Sequence, residues 1–319
     1  MKFVEPDQIH LSAAVKLAVR ELRTEQRRCP SLIPYDFTDQ LERHISAVFQ
    51  SGFGLVSIER DEVTGYLCFG PKIRRHFGLS DGAFSPLYAS AFGGGDRQKT
   101  ASLLFQEVSK QLLARGLSSF AICKYAHDTE ILKSFVFGGF GFRCSDAVRP
   151  VNLPAGICPP AGYRYFETAK RPDSLFSLEN ALLEHLAQSP VYFPHPPITS
   201  EQFRRSADLK ENRLFIAEAS GKPVGYLELC PRAETFISEH SDMLNICGMY
   251  FTEAHRGSGA ADGLLEFVLQ TLRKEGVPYL GVDYETINPN ALRFWGKYFD
   301  SYTYSFVRRL DERLIAMPQ

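Results

Sequence analysis

The chain has 319 residues, 44% hydrophobic and 23% charged, an ordinary soluble-protein composition with enough length for two domain cores. A formal net charge of −1 lacks the bulk electrostatics that binding to nucleic acid or an anionic membrane surface would need, so neither partner is expected. No apolar run approaches the roughly 20 residues that span a bilayer, and seven scattered cysteines without a CxxC spacing point to reduced thiols in the cytoplasm.

The first stretch, MKFVEPDQIHLSAAVKL, meets acidic residues before any apolar core and does not read as a secretion signal. Its Leu11, Val15, Ala18 and Leu22 share one face of an amphipathic helix. Arg149–Gly162, RPVNLPAGICPPAG, is rich in proline and glycine and reads as a linker. Beyond it, Leu175, Leu178, Leu182 and Leu186 recur at helical spacing, and RLFIAEASGKPVGYLELC forms two β-prone runs around the turn Ser220-Gly221-Lys222-Pro223. MLNICGMYF is a further strand. GLLEFVLQTLRKEG is a helix with Leu264, Leu265, Val268 and Leu272 on one side and Gly276 as its stop. PYLGVDYE is a strand, Asn288 caps a short helix opened by Pro289, and SYTYSFVRRL closes the second half as an aromatic strand.

The chain also repeats itself. At one constant offset Pro30 meets Pro190, Pro34 meets Pro194, Gly65-Tyr66-Leu67 meets Gly225-Tyr226-Leu227, and Gly116 meets Gly276. Leu103-Leu104 and Leu264-Leu265 lie one residue further apart, which places a single insertion or deletion in that helix. The reading is two homologous α/β domains, 1–150 and 162–319, joined by 151–161, and not independent of each other.

The second half carries HRGSGAADGLLEF, His255 to Phe267, between a strand and a helix. The first N–H groups of a helix lack intrahelical partners, and its dipole adds partial positive charge at the same place. Gly257 and Gly259 let a ligand approach the backbone, with Arg256 beside them, so the loop reads as a cradle for a phosphate or pyrophosphate. The alternative is a plain strand-to-helix connection with small residues for packing. No lysine follows Gly259, which removes a P-loop. A Rossmann dinucleotide site fits Gly257-Ser258-Gly259 and Asp283, but its third glycine position is Asp262, and too little chain remains after Asp283 for the rest of that sheet.

These residues resemble the GNAT acetyltransferase family. Arg256-Gly257-Ser258-Gly259-Ala260-Ala261 satisfies the family's Q/R-x-x-G-x-G/A loop. Asn288 to Phe294 matches its N-x-x-A-x-x-F/L-Y signature up to the last letter, and the element order agrees over most of 165–310. Gly139-Phe140 stands near the family's G-F ending in the first half. The resemblance implies a tandem GNAT, each domain a mixed, mostly antiparallel twisted sheet flanked by helices. It implies an acetyl-CoA-dependent N-acetyltransferase with no metal, acting on an amine of a small molecule or peptide, as a monomer or homodimer.

On that resemblance, acetyl-CoA lies between two strands that splay apart. Backbone groups of Met249, Tyr250 and Phe251 would hold the pantetheine arm and polarise the thioester carbonyl. Those of Arg256, Gly257, Ser258, Gly259, Ala260 and Ala261 would take the pyrophosphate, and Asn288 would bond the coenzyme or cap its helix. Trp295 replaces the tyrosine that in the family protonates the leaving thiolate, so Tyr298 and Tyr284 are the nearby substitutes. Asp283, Glu285 and Glu228 are candidate bases; alternation puts Asp283 and Glu285 on one face and Tyr284 on the other, though both acids also suit a solvated edge. Tyr192, Phe193 and His195 fall in the region that shapes the acceptor pocket. In the first half the aligned loop, Gly95 to Thr100, has Gln98 and Thr100 for the second glycine and the final alanine, Asp96 would repel phosphate, and Asp128 replaces the asparagine. That domain is expected to keep the fold and not the coenzyme. With neither HxxxH nor HExxH among the eight histidines, no metal site is readable. A non-catalytic acyl-CoA sensor or interaction protein and a Rossmann-type nicotinamide enzyme stay as alternatives.

Overall fold

A computed structural model describes residues 1–51, 53–206 and 208–316. The chain divides into two compact units. The first comprises Met1–Asp146 and the segment that starts at Ser301; the second is Ala147–Asp300. Among the described residues no helix is long and apolar enough to cross a membrane.

In order, the first unit holds β1 (Lys2–Val4), α1 (Leu11–Arg28), α2 (Thr38–Ser51), β2 (Phe53–Glu59), β3 (Glu62–Phe69), β4 (Gly82–Ser85), β5 (Ser90–Phe92), α3 (Arg97–Ala114), β6 (Ser119–Tyr125), α4 (Thr129–Phe137) and β7 (Gly141–Pro150), whose end passes into the second unit. The strands β1-β2-β3-β5 form one antiparallel sheet. Of the predicted stripe of α1, Val15, Ala18 and Leu22 are buried, with Ala14 beside them, while Leu11 is only partly buried. Leu104, Phe105, Val108 and Leu112 of α3 pack on Leu55, Leu67, Phe69, Phe120 and Ile122 of the strands.

The second unit holds β8 (Tyr163–Thr168), α5 (Phe176–Ala187), α6 (Ser200–Arg205), β9 (Arg213–Ala219), β10 (Lys222–Cys230), β11 (Met243–Phe251), α7 (Ala260–Glu275), β12 (Tyr279–Glu285) and α8 (Pro289–Trp295). Its sheet runs β12-β11-β10-β9-β8, parallel between β11 and β12 and antiparallel elsewhere. Both faces are covered, which explains why β9 carries a continuous buried apolar run, Leu214 to Ala217, rather than alternating. Phe215 and Ala217 face the core under α7, while Leu214 and Ile216 face a second core with Leu178 and Phe203. The helix α7 buries Leu264, Leu265, Val268, Leu269 and Leu272 completely. It stops at Gly276, a left-handed residue whose N–H closes on the last helical carbonyls.

The chain ends with the two-residue β13 (Asp300–Ser301) and then β14 (Thr303–Arg309). Sequence order predicts that this last strand closes the second half, but it completes the first. All seven residues pair antiparallel with Ser119–Tyr125 of β6, and Ser305–Val307 pair with β7, so the sheet order there is β4-β6-β14-β7. As an inner strand β14 has both backbone edges bonded, and Phe306, fully buried, sits with Phe120, Phe135 and Phe140.

Candidate active site

The site begins where two strands part. β11 and β12 pair only through Met243–Ile246 and Tyr279–Val282. Beyond that point β11 continues to Phe251 bonded to β10, and β12 continues to Glu285. The register of β10 against β11 shifts between Glu228 and Leu229, opposite Gly248 and Ile246, so Cys247 is the extra residue of a β-bulge.

A cavity of about 430 Å³ opens beside the far end of β11. Met249, Tyr250 and Phe251 line one wall, Arg256, Gly257, Gly259 and Ala261 another, and Asn288 and Trp295 a third. Ser258 and Ala260 belong to the same loop and helix start but do not line the cavity. The Ser258 hydroxyl donates to the His255 carbonyl at 2.8 Å and accepts from the Ala260 N–H at 3.2 Å and from the Tyr163 hydroxyl at 3.0 Å. Ala260 is fully buried.

The loop's conformation follows from its glycines. Gly257 (φ +72°) and Gly259 (φ +85°) are left-handed, and a β-carbon at Gly257 would project into open space. Gly259 is the N-cap of α7 and has no side chain with which to cap it; the neighbouring Ser258 hydroxyl takes the Ala260 N–H. Arg256 is held by its Nε–H donating to the Phe251 carbonyl at 3.0 Å, with its guanidinium 5.2 Å from the Tyr250 ring centre. Asn288 accepts from the N–H groups of Asn290 (3.1 Å) and Ala291 (3.4 Å), so it caps α8 while also lining the cavity. Three lining residues escaped the motif reading. Arg293 and Lys297 are cations that follow Asn288 on α8 and in the turn after it. His185 of α5 is pushed below the ordinary histidine range by burial and then by the charge of Arg256, so its ring is neutral near pH 7; nothing local marks its long-range placement.

The first unit carries a similar strand-to-helix construction, with its helix start capped by a side chain of its own. The Nε–H of Arg97 donates to the Phe92 carbonyl at 2.9 Å, as Arg256 does to Phe251. Arg97 is therefore the counterpart of Arg256, and the gap between the repeats falls in the strand-to-helix connection rather than in the helix. α3 already begins at Arg97, and the Asp96 carboxylate caps it by accepting from the Lys99 N–H at 2.9 Å. Arg97 pairs with Asp128, Glu21 and Glu130, and the fully buried Lys124 donates to Glu21 at 2.8 Å and to the Ser90 carbonyl at 2.9 Å. The hollow lined by Gly94, Arg97 and Asp128 measures about 190 Å³.

The candidate acid and bases lie outside the cavity wall. The hydroxyl of Tyr298 donates to the Asp262 carboxylate; burial, and then that bond, push it well above the ordinary tyrosine range. Trp295 is buried and makes edge contacts with Phe294 and Phe299 at 4.8 and 5.5 Å. On β12, Asp283 and Glu285 share the face opposite the buried Tyr284. Asp283 reaches solvent, yet protein surrounds it closely enough that desolvation raises its carboxyl above the ordinary aspartate range. Glu234 is raised too, by burial and then by the charges of Asp283 and Glu285. Glu228 is committed elsewhere, accepting from Arg171 at 2.8 Å and Asn212 at 2.9 Å. Tyr192 is exposed, and the Phe193 and His195 rings meet edge to face at 4.4 Å. Among the described residues no group of three or more His, Cys, Asp or Glu is arranged to hold a metal ion.

The acetyltransferase (GNAT) family model matches residues 180–300. No curated protein matches the sequence. Among solved structures, the chain is similar to a GCN5-related N-acetyltransferase from Sphaerobacter thermophilus, with 15% identity and a TM-score of 0.58 over 97% of this chain and 95% of that one. It is similar to a tandem GNAT protein from the clavulanic acid biosynthesis pathway, with 14% identity and a TM-score of 0.51 over 97% and 98% of the two chains. A glucosamine N-acetyltransferase region in a fungal multi-domain GH3 β-N-acetylglucosaminidase gives 11% identity and a TM-score of 0.54 over 96% of this chain and 38% of that one. Identities this low speak for the fold alone, and that fold spans nearly the whole chain. Residues 180–300 thus match the GNAT acetyltransferase family, and the fold that spans nearly the whole chain is the one seen in GNAT structures.

Proposed function

We propose that the second unit transfers the acetyl group of acetyl-CoA to a primary amine of a small molecule or peptide, and that the first unit keeps the fold without binding the coenzyme. One observation carries this reading: the chain holds two versions of one strand-loop-helix, and they differ at the helix start. α3 is capped by its own Asp96 carboxylate, whereas the N-cap of α7 is Gly259, which has no side chain to cap it and lines a cavity. The residues present suit a pyrophosphate, because the loop offers backbone N–H donors, a helix N-terminus and Arg256. Arg293 and Lys297 add positive charge at the same cavity.

Acetyl-CoA supplies the acetyl group as a thioester. The wall of Met249–Phe251, on the strand that leaves β12, orients the pantetheine arm and turns backbone N–H groups toward the thioester oxygen. Asp283, aided by Glu285, removes the proton from the attacking amine; desolvation brings its basicity closer to that task. Tyr298, its hydroxyl engaged by Asp262, holds its proton tightly. A thiol is far more acidic than an alcohol, so the leaving group can depart as thiolate. The setting proposed is the cytoplasm. The test is release of free coenzyme A thiol from acetyl-CoA across a panel of amines: polyamines, amino acids, aminoglycosides and peptides. Amine-dependent release supports the proposal. Binding of acetyl-CoA without release to any amine would favour a non-catalytic acyl-CoA sensor instead.

A further inference from the structure

Two thiols lie beside the parting strands and have no part in acetyl transfer. Cys230 ends β10, and Cys247 is the extra residue of the bulge in β11, the antiparallel neighbour. The two side chains are near enough to hydrogen-bond to each other. Each also has a backbone acceptor: Cys230 Sγ lies 2.9 Å from the Arg232 carbonyl and Cys247 Sγ 3.6 Å from the Glu228 carbonyl. Cys247 is exposed and Cys230 partly so, whereas Cys29, Cys68 and Cys123 are buried. Nearness of the two thiols, access to solvent and placement on adjacent strands are what an intramolecular disulfide needs.

We propose that Cys230 and Cys247 are a redox-active dithiol that closes to a disulfide on reaction with an oxidised low-molecular-weight disulfide such as glutathione disulfide. Their order of action follows from the hydrogen bond between them. When Cys230 loses its proton, the Cys247 S–H turns from the Glu228 carbonyl to the Cys230 sulfur and favours the thiolate there; Cys230 is lowered to about 7, while that same bond holds Cys247 up. The Cys230 thiolate attacks one sulfur of the small disulfide; a sulfur–sulfur bond forms and the first small thiolate leaves. With Cys230 capped, the bond that held the Cys247 proton is gone. Cys247 gives its proton to water and attacks the Cys230 sulfur, and the second small thiolate leaves. Two protein thiols are oxidised, one small disulfide is reduced to two thiols, and the protons released end on them. The inference rests on the thiols alone and is independent of the acetyl-transfer reading.

The test is to expose the full-length protein to glutathione disulfide near neutral pH and map the cysteines by mass spectrometry without reduction. The exposed Cys158 serves as the reference thiol. The expected result is a peptide pair joined through Cys230 and Cys247, with intact mass lower by two hydrogens. Cys247→Ala traps glutathione on Cys230, because nothing resolves it, and Cys230→Ala leaves Cys247 less modified than Cys158. Two results overturn the proposal: Cys230 and Cys247 each carrying a separate glutathione or none while Cys158 reacts, or Cys247→Ala leaving Cys230 unmodified.

Discussion

Gly259 and Gly276 close the two ends of α7 in nearly the same left-handed conformation, φ +85° and +75°. Alanine at either puts a β-carbon on a backbone that costs an L-residue about 1–2 kcal/mol. Neither substitution adds a clash. At Gly276 the new atom meets nothing within 4 Å, and at Gly259 its nearest neighbour is the Pro160 ring at 3.5 Å, an ordinary contact. The two variants should therefore lose similar stability, about 1–2 kcal/mol, which in a unit of this size lowers Tm by about 2–8 °C. They should differ in ligand binding. Strain at Gly259 is relieved by turning the loop's N–H donors, and losing one hydrogen bond to a charged phosphate, about 1.5 kcal/mol or more, weakens acetyl-CoA at least about tenfold. Gly276→Ala, at the other end of the helix, leaves affinity unchanged. Differential scanning calorimetry reads the first quantity and titration calorimetry the second, both on the full chain. Equal loss of affinity in the two variants, or a destabilised Gly259→Ala that binds as the parent does, would refute the reasoning.

Three further outcomes follow from the packing and the charges. Phe306→Ala, which empties a fully buried aromatic site, should destabilise the first unit by about 3–5 kcal/mol, seen as faster hydrogen exchange in β6 and β7, with acetyl-CoA affinity kept; unchanged exchange contradicts the placement of β14. Asp283 has its folded pKa raised, so its contribution to stability is full below the ordinary value of 3.8 and is lost as pH rises through the folded value. At neutral pH its charge is a net cost; Asp283→Asn should melt higher than the parent there, the gap closing in acid, while turnover drops about 10²-fold or more. Turnover that survives Asp283→Asn removes Asp283 as the base. Tyr298→Phe should leave turnover within a few-fold and Trp295→Tyr should keep or raise it; a loss of about 10²-fold in Tyr298→Phe would make that hydroxyl the acid after all.

Much of the second unit could be read locally. Ser220 (φ +49°) and Gly221 (φ +76°) turn the hairpin between β9 and β10 where the turn residues sit, and α7 runs from the glycine loop to Gly276. Asn288 and Pro289 open α8 as their types require. What could not be read is pairing across long separations. The alternation in SYTYSFVRRL marks a strand but carries no information on its partner, and β6 lies far earlier in the chain. Side-chain commitments were hidden for the same reason. Tyr298 reads as available in the sequence, but its hydroxyl donates to Asp262, and Glu228 reads so too, but it accepts from Arg171 and Asn212. The loss of glycines before α3 was plain, but that Asp96 and the Arg97–Asp128 pair occupy the vacated place depends on folding. The bulge at Cys247 adds one residue to a strand that is apolar on both sides of it, so no break in periodicity betrays it.

The central claim is that one loop of two binds the coenzyme. Its most direct measurement is titration of acetyl-CoA into the full-length protein and into Gly259→Glu and Gln98→Glu, with heat and stoichiometry followed together. A carboxylate at Gly259 stands in the pyrophosphate cradle, whereas one at Gln98 adds charge to a helix start already capped by Asp96. The account predicts one site per chain, abolished in Gly259→Glu and untouched in Gln98→Glu. Two sites per chain, or equal loss in the two variants, would contradict it.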